Sequence, residues 1–325
     1  MDDEFVTLAC GAGGREMDAL IDSFGLKFRG KWRNYENDSA TLDIGGGKTL
    51  VFTTDSYIVD PIFFPGGDIG KLCVSGTIND LLVMGAKPLG ISLGLVIEEG
   101  FLRKDLDSVI SSIKRVSKMT GVPVVTGDTK VMERGKVDKI VINTAGVGIA
   151  ADGELLDSRI VPGDKVILSG GLGEHAVALL SKRFDYETDV VSDSKPLVDE
   201  MDAVKGLLKI AKDPTRGGIA AALNEISRKN GVGILVYEDD VPVRGEVRKV
   251  VEMLGINLYE LASEGRFVCV AASDDADLVV RRLKKFNKSA CVIGEVTNGD
   301  KVAVQTCLGK RVMPCPTGRI VPRIC

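Results

Sequence analysis

Five aspartates stand where the chain bends: Asp38 in ENDSATL, Asp55 in TTDS, Asp80 in TIND, Asp128 in TGDTK and Asp213 in KDPTRGG. Small or turn-forming neighbours surround each, a setting in which backbone presents a carboxylate. Taken singly, each reads better as a turn or cap residue. Five such contexts together weaken that reading without establishing that the aspartates converge. Carboxylates converging on one pocket would repel one another unless a cation stood among them, and Mg2+, a hard ion that prefers oxygen and partners phosphates, meets that need.

The glycine-rich stretches suit the same ligand chemistry. CGAGGREM (10–17), with Gly13 and Gly14, can fold backbone N–H groups over phosphate oxygens. PGGDIGK places Lys71 at a helix start, where the helix dipole already favours an anion. DPTRGG repeats the logic with Arg216 as the charge. None of these matches GxxxxGK[ST], which excludes a Walker P-loop. IGGGKT (44–49) reads as a hairpin turn. SGGLGEHA (169–176) satisfies GxGxxA between a strand and a helix, with Asp189 or Asp193 as a ribose acid further on. A lone fingerprint in mid-chain is weak, since tight strand-to-helix turns use glycine for steric reasons, and His175 within it reads as structural.

Two more side chains invite a chemical role. Lys130 follows TGDT and would share the acidic pocket. Glu264 in ASEGRF precedes a buried-looking strand, where desolvation would raise its pKa toward acid–base duty. Taken alone, each reads better as an exposed loop side chain. Last comes Cys325 in TGRIVPRIC, a thiol with no apolar surroundings in sequence.

The elements that must position these groups alternate. Strands are expected at 49–59, 88–99, 123–131 and 139–150, with helices from Asp68 to Met84 and through Leu106, Val109, Ile113 and Val116 to Gly121. After a polar break near 151–161 the alternation restarts, with strands at DKVILSG, GILVYE, RFVCVAA, ACVIGEV and VAVQTC and helices between them. Residues 1–42 form a glycine-rich segment, 43–150 and 151–307 two α/β domains, and 308–325 an extended tail without periodicity. The 325 residues and 44% hydrophobic content suffice for two domains. A net charge of -4 gives no electrostatic case for nucleic acid. The acidic MDDEF start lacks a signal peptide, and no apolar run approaches the ~20 residues that span a bilayer, so a cytoplasmic protein is expected. Seven scattered cysteines without a CxxC pair, and one histidine, argue against zinc.

GGREM, the block TTDSYIVDPIFFPGGDIGKLCVSGTINDLLVMGAKP, TGDTKV, DPTRGG and the closing PRIC together resemble the HypE family of hydrogenase maturation proteins, over nearly the whole chain. That family is similar in fold to aminoimidazole ribonucleotide synthase, selenophosphate synthetase and thiamine-phosphate kinase, which bind ATP without a P-loop. The resemblance implies a two-domain, aminoimidazole ribonucleotide synthase-like α/β (α+β) fold, with N-terminal sheets pairing across a homodimer and a flexible C-terminal tail. It implies ATP held by Gly13, Gly14, Thr54, Asp55, Lys71, Asn79, Asp80 and Asp128, and Mg2+ held by Asp38, Asp55, Asp80, Asp128 and Asp213. The implied reaction begins when a partner, HypF, carbamoylates Cys325. ATP then drives removal of water to give an S-cyanate, and the cyanide passes through a HypC–HypD complex to the iron of NiFe-hydrogenase. Glu264 and Lys130 match positions implicated in the dehydration. Cys10 stands where family members commonly carry a histidine, so any role of that histidine is not carried over. A same-fold small-molecule enzyme, such as a thiamine-phosphate kinase or selenophosphate synthetase, has no reason for PRIC. A nucleotide-binding thiol carrier without catalysis remains a reading from a different class.

Overall fold

The computed structural model describes residues 5–11, 14–25, 30–34, 37–151, 155, 159–318 and 323–325. Helix α1 (Arg15–Ser23) leads to strands β1 (Ala40–Gly45) and β2 (Lys48–Tyr57), which are joined at Gly45–Gly47 as the hairpin reading of IGGGKT expects. A small hairpin of β3 (Phe63–Phe64) and β4 (Gly67–Asp68) then feeds helix α2 (Ile69–Val83). Strand β5 (Lys87–Glu98), helix α3 (Arg103–Thr120), β6 (Val124–Met132) and β7 (Ile140–Ala151) complete a five-stranded sheet of order β1-β2-β7-β5-β6. Only the β5–β6 pair is parallel. All nine residues of β6, the last strand in that order, are exposed.

Helix α2 carries the placement of the site. Every one of its 15 residues except Lys71 is buried, so it has no polar face to show to water. It is covered by the first sheet and α3 on one side and by elements of the second half of the chain on the other. Its start is fixed by Asp68, whose Oδ1 accepts from the N–H groups of Gly70 (2.8 Å) and Lys71 (3.0 Å). That is an N-cap, worth about 1 kcal/mol. It trims the expected Asp68–Met84 span by one residue at each end.

The second half builds a seven-stranded sheet from β8 (Lys165–Leu168), β9 (Leu208–Lys212), β10 (Gly233–Tyr237), β11 (Val268–Ala271), β12 (Cys291–Thr297), β13 (Val302–Thr306) and β14 (Gly309–Val312). Its order is β14-β13-β10-β12-β8-β11-β9, with β10 and β13 the parallel neighbours. Helices α4 (Glu174–Arg183), α5 (Val198–Val204), α6 (Gly218–Asn230), α7 (Gly245–Leu254) and α8 (Ser273–Leu283) accompany it. The stretch just after Cys307 is no extended arm: Gly309–Val312 turns back and pairs with β13, with Val312 opposite Ala303. The two halves share one buried apolar cluster that runs from Tyr57, Ile69 and Leu72 to Leu179, Leu197, Met201 and Phe267, and Ile324 near the chain end joins it.

Candidate active site

Alternation along β2 turns Thr53, Asp55 and Tyr57 toward α2. There the Thr53 hydroxyl donates to Asp80 Oδ2 (2.7 Å), and the Tyr57 hydroxyl donates to Asp55 Oδ2 (3.1 Å). Gly76 of α2 makes this approach possible, because a Cβ there would stand 2.3 Å from the Tyr57 hydroxyl oxygen. Asp38, just before β1, accepts from Lys212 Nζ at 2.9 Å, and Lys212 also meets Glu225 at 2.8 Å. Burial works against the charge on Lys212, but the two carboxylates outweigh it and hold the ammonium. Asp213 follows Lys212 at the end of β9. Thus loop, strand, helix and second-sheet strand each deliver one aspartate to a single cleft of about 730 Å³, which Gly14, Thr54 and Arg216 also line. That volume lies within the range of small-molecule and nucleotide sites.

A smaller pocket of about 30 Å³ adjoins the cleft and shares Asp55, Asp80, Asp213, Thr215 and Arg216 with it. Its other walls include Tyr57, Glu264 and Cys325. Burial, then repulsion from Asp55, Asp213 and Asp38, pushes the Asp80 carboxyl well above the usual range. Asp213 is raised by burial and by Asp38 and Asp55, and its Oδ2 is buried without a hydrogen-bond partner. Glu264 is raised by burial and by Asp213, Asp193 and Asp55, against the pull of Arg216, and its Oε1 is likewise unpartnered. Mutual repulsion and orphaned oxygens are what a cation placed among these carboxyls would relieve. Among the described residues no three acidic, histidine or cysteine side chains are close enough to hold an ion by themselves. The arrangement therefore fits a magnesium ion that takes part of its oxygen shell from phosphate and water.

The backbone of Glu264 is bolted down. Its N–H donates to Asp193 Oδ1 (3.1 Å), and its carbonyl accepts from Asn79 Nδ2 (3.3 Å). Asn79 also donates to the Lys195 carbonyl (3.0 Å) and accepts from the Leu197 N–H (2.9 Å), so one side chain of α2 ties the second half to the first. Asn79 is consequently a strut beneath Glu264 and does not line either pocket.

The end of the chain lies in the site. The N–H groups of Ile58 and Asp60 donate to main-chain oxygens of Cys325 (a carboxylate oxygen in this chain, 3.3 Å) and Arg323 (a carbonyl, 3.1 Å), extending β2 by a strand-like pairing. Arg183 donates to the Arg323 carbonyl (3.1 Å), His175 Nε2 meets the Ile324 carbonyl (2.8 Å), and the Arg323 guanidinium pairs with Asp138 (2.6 Å). Ile324 is buried in the shared core, a contact worth roughly 1.5–3 kcal/mol. Burial, then the Glu264 carboxyl, pushes the Cys325 thiol up despite Arg216, so the docked sulfur is held protonated. A third cavity, of about 400 Å³, opens beside Cys325 and is lined by Leu8, Cys10, Ile58 and Arg216 among others.

The structure thus brings together Asp38, Asp55, Asp80, Asp213, Thr54, Gly14, Glu264 and Cys325. Gly13 lies outside the described residues. Lys71 donates to the Gly66 carbonyl (2.8 Å) and does not line the cleft. Asp128 and Lys130 pair with each other at 2.6 Å on exposed β6 and line neither of these two pockets; Asp128 instead borders a separate open groove of about 410 Å³ between β5 and β6. SGGLGEHA supplies no pyrophosphate site: Glu174 at the helix start is taken by Arg266 (2.7 Å), and His175 is buried beneath the chain end. Tyr57 and the Lys212–Glu225 pair go unsignalled in sequence. The i, i+2 spacing of Tyr57 from Asp55 on a strand is the one signal that could have found the former.

Two family models match the chain: AIR synthase related protein, N-terminal domain, over residues 36–150, and its C-terminal domain over 161–307. A carbamoyl dehydratase HypE of Rhizobium leguminosarum bv. viciae is 43% identical, over 98% of this chain and 95% of its own length. A solved HypE–HypF complex superposes with a TM-score of 0.84 at 39% identity, covering 91% of this chain and 99% of the other. HypE solved in complex with ATP gives a TM-score of 0.82 at 37% identity, over 98% and 100%.

Proposed function

The chain belongs to the HypE carbamoyl dehydratase family, and from that premise we propose that it uses ATP to dehydrate an S-carbamoyl group on Cys325 to an S-cyanate, supplying cyanide for the iron of NiFe-hydrogenase. The observation that carries this reading is the position of Cys325. Its sulfur shares a small pocket with Glu264 and Arg216, and that pocket opens into a nucleotide-sized, carboxylate-lined cleft.

Carbamoylated Cys325 carries S–C(=O)NH2, whose oxygen is a poor leaving group. That oxygen attacks the γ-phosphorus of ATP and ADP departs. Expulsion of the esterified oxygen as phosphate, with loss of both N–H protons, leaves S–C≡N. Asp38, Asp55, Asp80 and Asp213 would hold Mg2+, which offsets charge on the phosphates during transfer. Arg216 borders both pockets and faces the charge that develops on oxygen and phosphate. Glu264 takes one N–H proton and must pass it on before it accepts the second; its raised pKa makes the ionised carboxylate a stronger base than an ordinary glutamate. Gly14 and Thr54, on the wall of the cleft, serve the nucleotide. Gly13, Lys71 and Asn79 complete the ATP-binding set by resemblance, with Asn79 acting through the Glu264 backbone.

Lys130 and Asp128 enter the site in a homodimer. Strand β6 offers an exposed edge on which both stand, and pairing of two N-terminal sheets there carries them toward a partner's cleft. HypF supplies the carbamoyl group, in keeping with the solved HypE–HypF complex, and a HypC–HypD complex receives the cyanide. No described helix is long and apolar enough to cross a membrane, and we place the reaction in the cytoplasm. The test is intact-mass analysis of the C-terminal peptide after incubation with ATP, carbamoyl phosphate and the carbamoyltransferase. A carbamoyl adduct followed by loss of one water is expected, and Cys325→Ala should show neither. A persistent adduct in the presence of ATP would overturn the reading in favour of a passive thiol carrier.

A further inference from the structure

His175 is the only histidine in the chain, it is wholly buried, and the dehydration chemistry makes no use of it. Its surroundings are built around the chain end. Nδ1 lies 2.8 Å from Ser192 Oγ, Nε2 lies 2.8 Å from the Ile324 carbonyl, and Phe64 packs edge-on with ring centroids 5.3 Å apart. A carbonyl oxygen only accepts, so Nε2 must carry the proton and Nδ1 must accept from the Ser192 hydroxyl. Ser192 Oγ in turn accepts from the Ser194 N–H at 3.1 Å, which orients that hydroxyl. Burial pushes the imidazole down to about 4, so it stays neutral and keeps one tautomer at physiological pH.

The hydrogen bonds that hold residues 323–325 share a property. Ile58, Asp60, His175 and Arg183 all bind main-chain oxygens, and among the described residues none binds the sulfur of Cys325. These hydrogen bonds do not depend on what the sulfur carries. A free thiol, a carbamoyl group and a cyanate present the same three main-chain oxygens.

We propose that His175, oriented by Ser192, is the positioning residue that latches the chain end in the site, independently of the cargo on Cys325. This rests on the dehydratase reading for its purpose, since dehydration needs the end docked and carbamoyl transfer from a partner needs it released. Weakening the latch therefore moves the two half-reactions apart.

The test uses the full-length protein with two readouts: the rate of Cys325 alkylation by iodoacetamide, followed on the C-terminal peptide, and single-turnover dehydration of the carbamoylated protein. Loss of one buried hydrogen bond predicts that His175→Ala raises alkylation about tenfold, while dehydration, which draws on a docked population that still dominates, falls by a much smaller factor. KM for ATP should stay unchanged, and carbamoyl transfer should be no slower. His175→Gln, which keeps an N–H donor near the Nε2 position, should recover most of both effects. Ser192→Ala should fall between, and it keeps the question open to measurement if the alanine variant at 175 does not fold. Unchanged Cys325 alkylation in folded His175 and Ser192 variants would overturn the latch. If alkylation rises as expected while even the unaltered protein fails to dehydrate, the latch stands and the dehydratase reading falls.

Discussion

At the scale of single residues, burial and mutual repulsion raise the Asp80, Asp213 and Glu264 carboxyls of the site together. Glu264 is desolvated and faces Asp213, so its pKa is raised; it acts as a base only when ionised. Dehydration should therefore fall as pH drops through a midpoint above the ordinary carboxylate range, and the rate should be flat above it. Glu264→Gln should cost on the order of 10²–10⁴ in rate and abolish that acid limb, which a pH profile of single-turnover kcat would show. A limb that survives in the variant assigns the proton to another group. The aspartates are legible in sequence because bend-forming neighbours advertise a presented side chain. Tyr57 is not, because its i, i+2 spacing from Asp55 is shared by every alternating strand and does not by itself mark a hydroxyl that reaches a carboxylate. Lys130 and Asp128 show the limit of motif reading: TGDTK looks like its counterparts, yet its strand is at the far edge of the sheet.

At the scale of elements, α2 and β2 fix the geometry through close approach. Gly76 sits inside a helix, where alanine would ordinarily gain about 0.5–1 kcal/mol. Here the added methyl meets the Tyr57 hydroxyl, and overpacking typically costs 1–3 kcal/mol. The clash should win: Gly76→Ala should lower the midpoint of thermal unfolding, and a higher midpoint would refute this account of the packing. The long elements are readable from periodicity and from Asp68 and Gly121, which mark helix ends chemically. The missed ones have physical reasons. Strand β9 ends on a buried lysine whose partners, Asp38 and Glu225, are remote in sequence. Helix α5 is seven residues of VDEMDAV without a capping side chain. Strand β14 is exposed throughout and exists only because β13 offers it an edge.

At the scale of the whole molecule, the proposed homodimer makes a prediction by complementation. If Lys130 acts in the partner's site, a mixed dimer of Lys130→Ala and Glu264→Gln chains holds one intact site and one doubly impaired site. Equal mixing after subunit exchange should then restore about a quarter of wild-type dehydration, provided each change alone costs the ~10² or more of a lost acid–base group. If Lys130 acts within its own chain, mixing restores nothing. The same scale explains the choreography of the reaction. The two sheets do not merely touch; one continuous apolar cluster is common to both halves, and Asn79 pins them together beside Glu264. Prising them apart like a clamshell would strip many large side chains at roughly 1.5–3 kcal/mol each. Under the proposed reaction, traffic between the carbamoyl donor and the pocket therefore falls to the residues around Cys325 and not to a hinge between the halves.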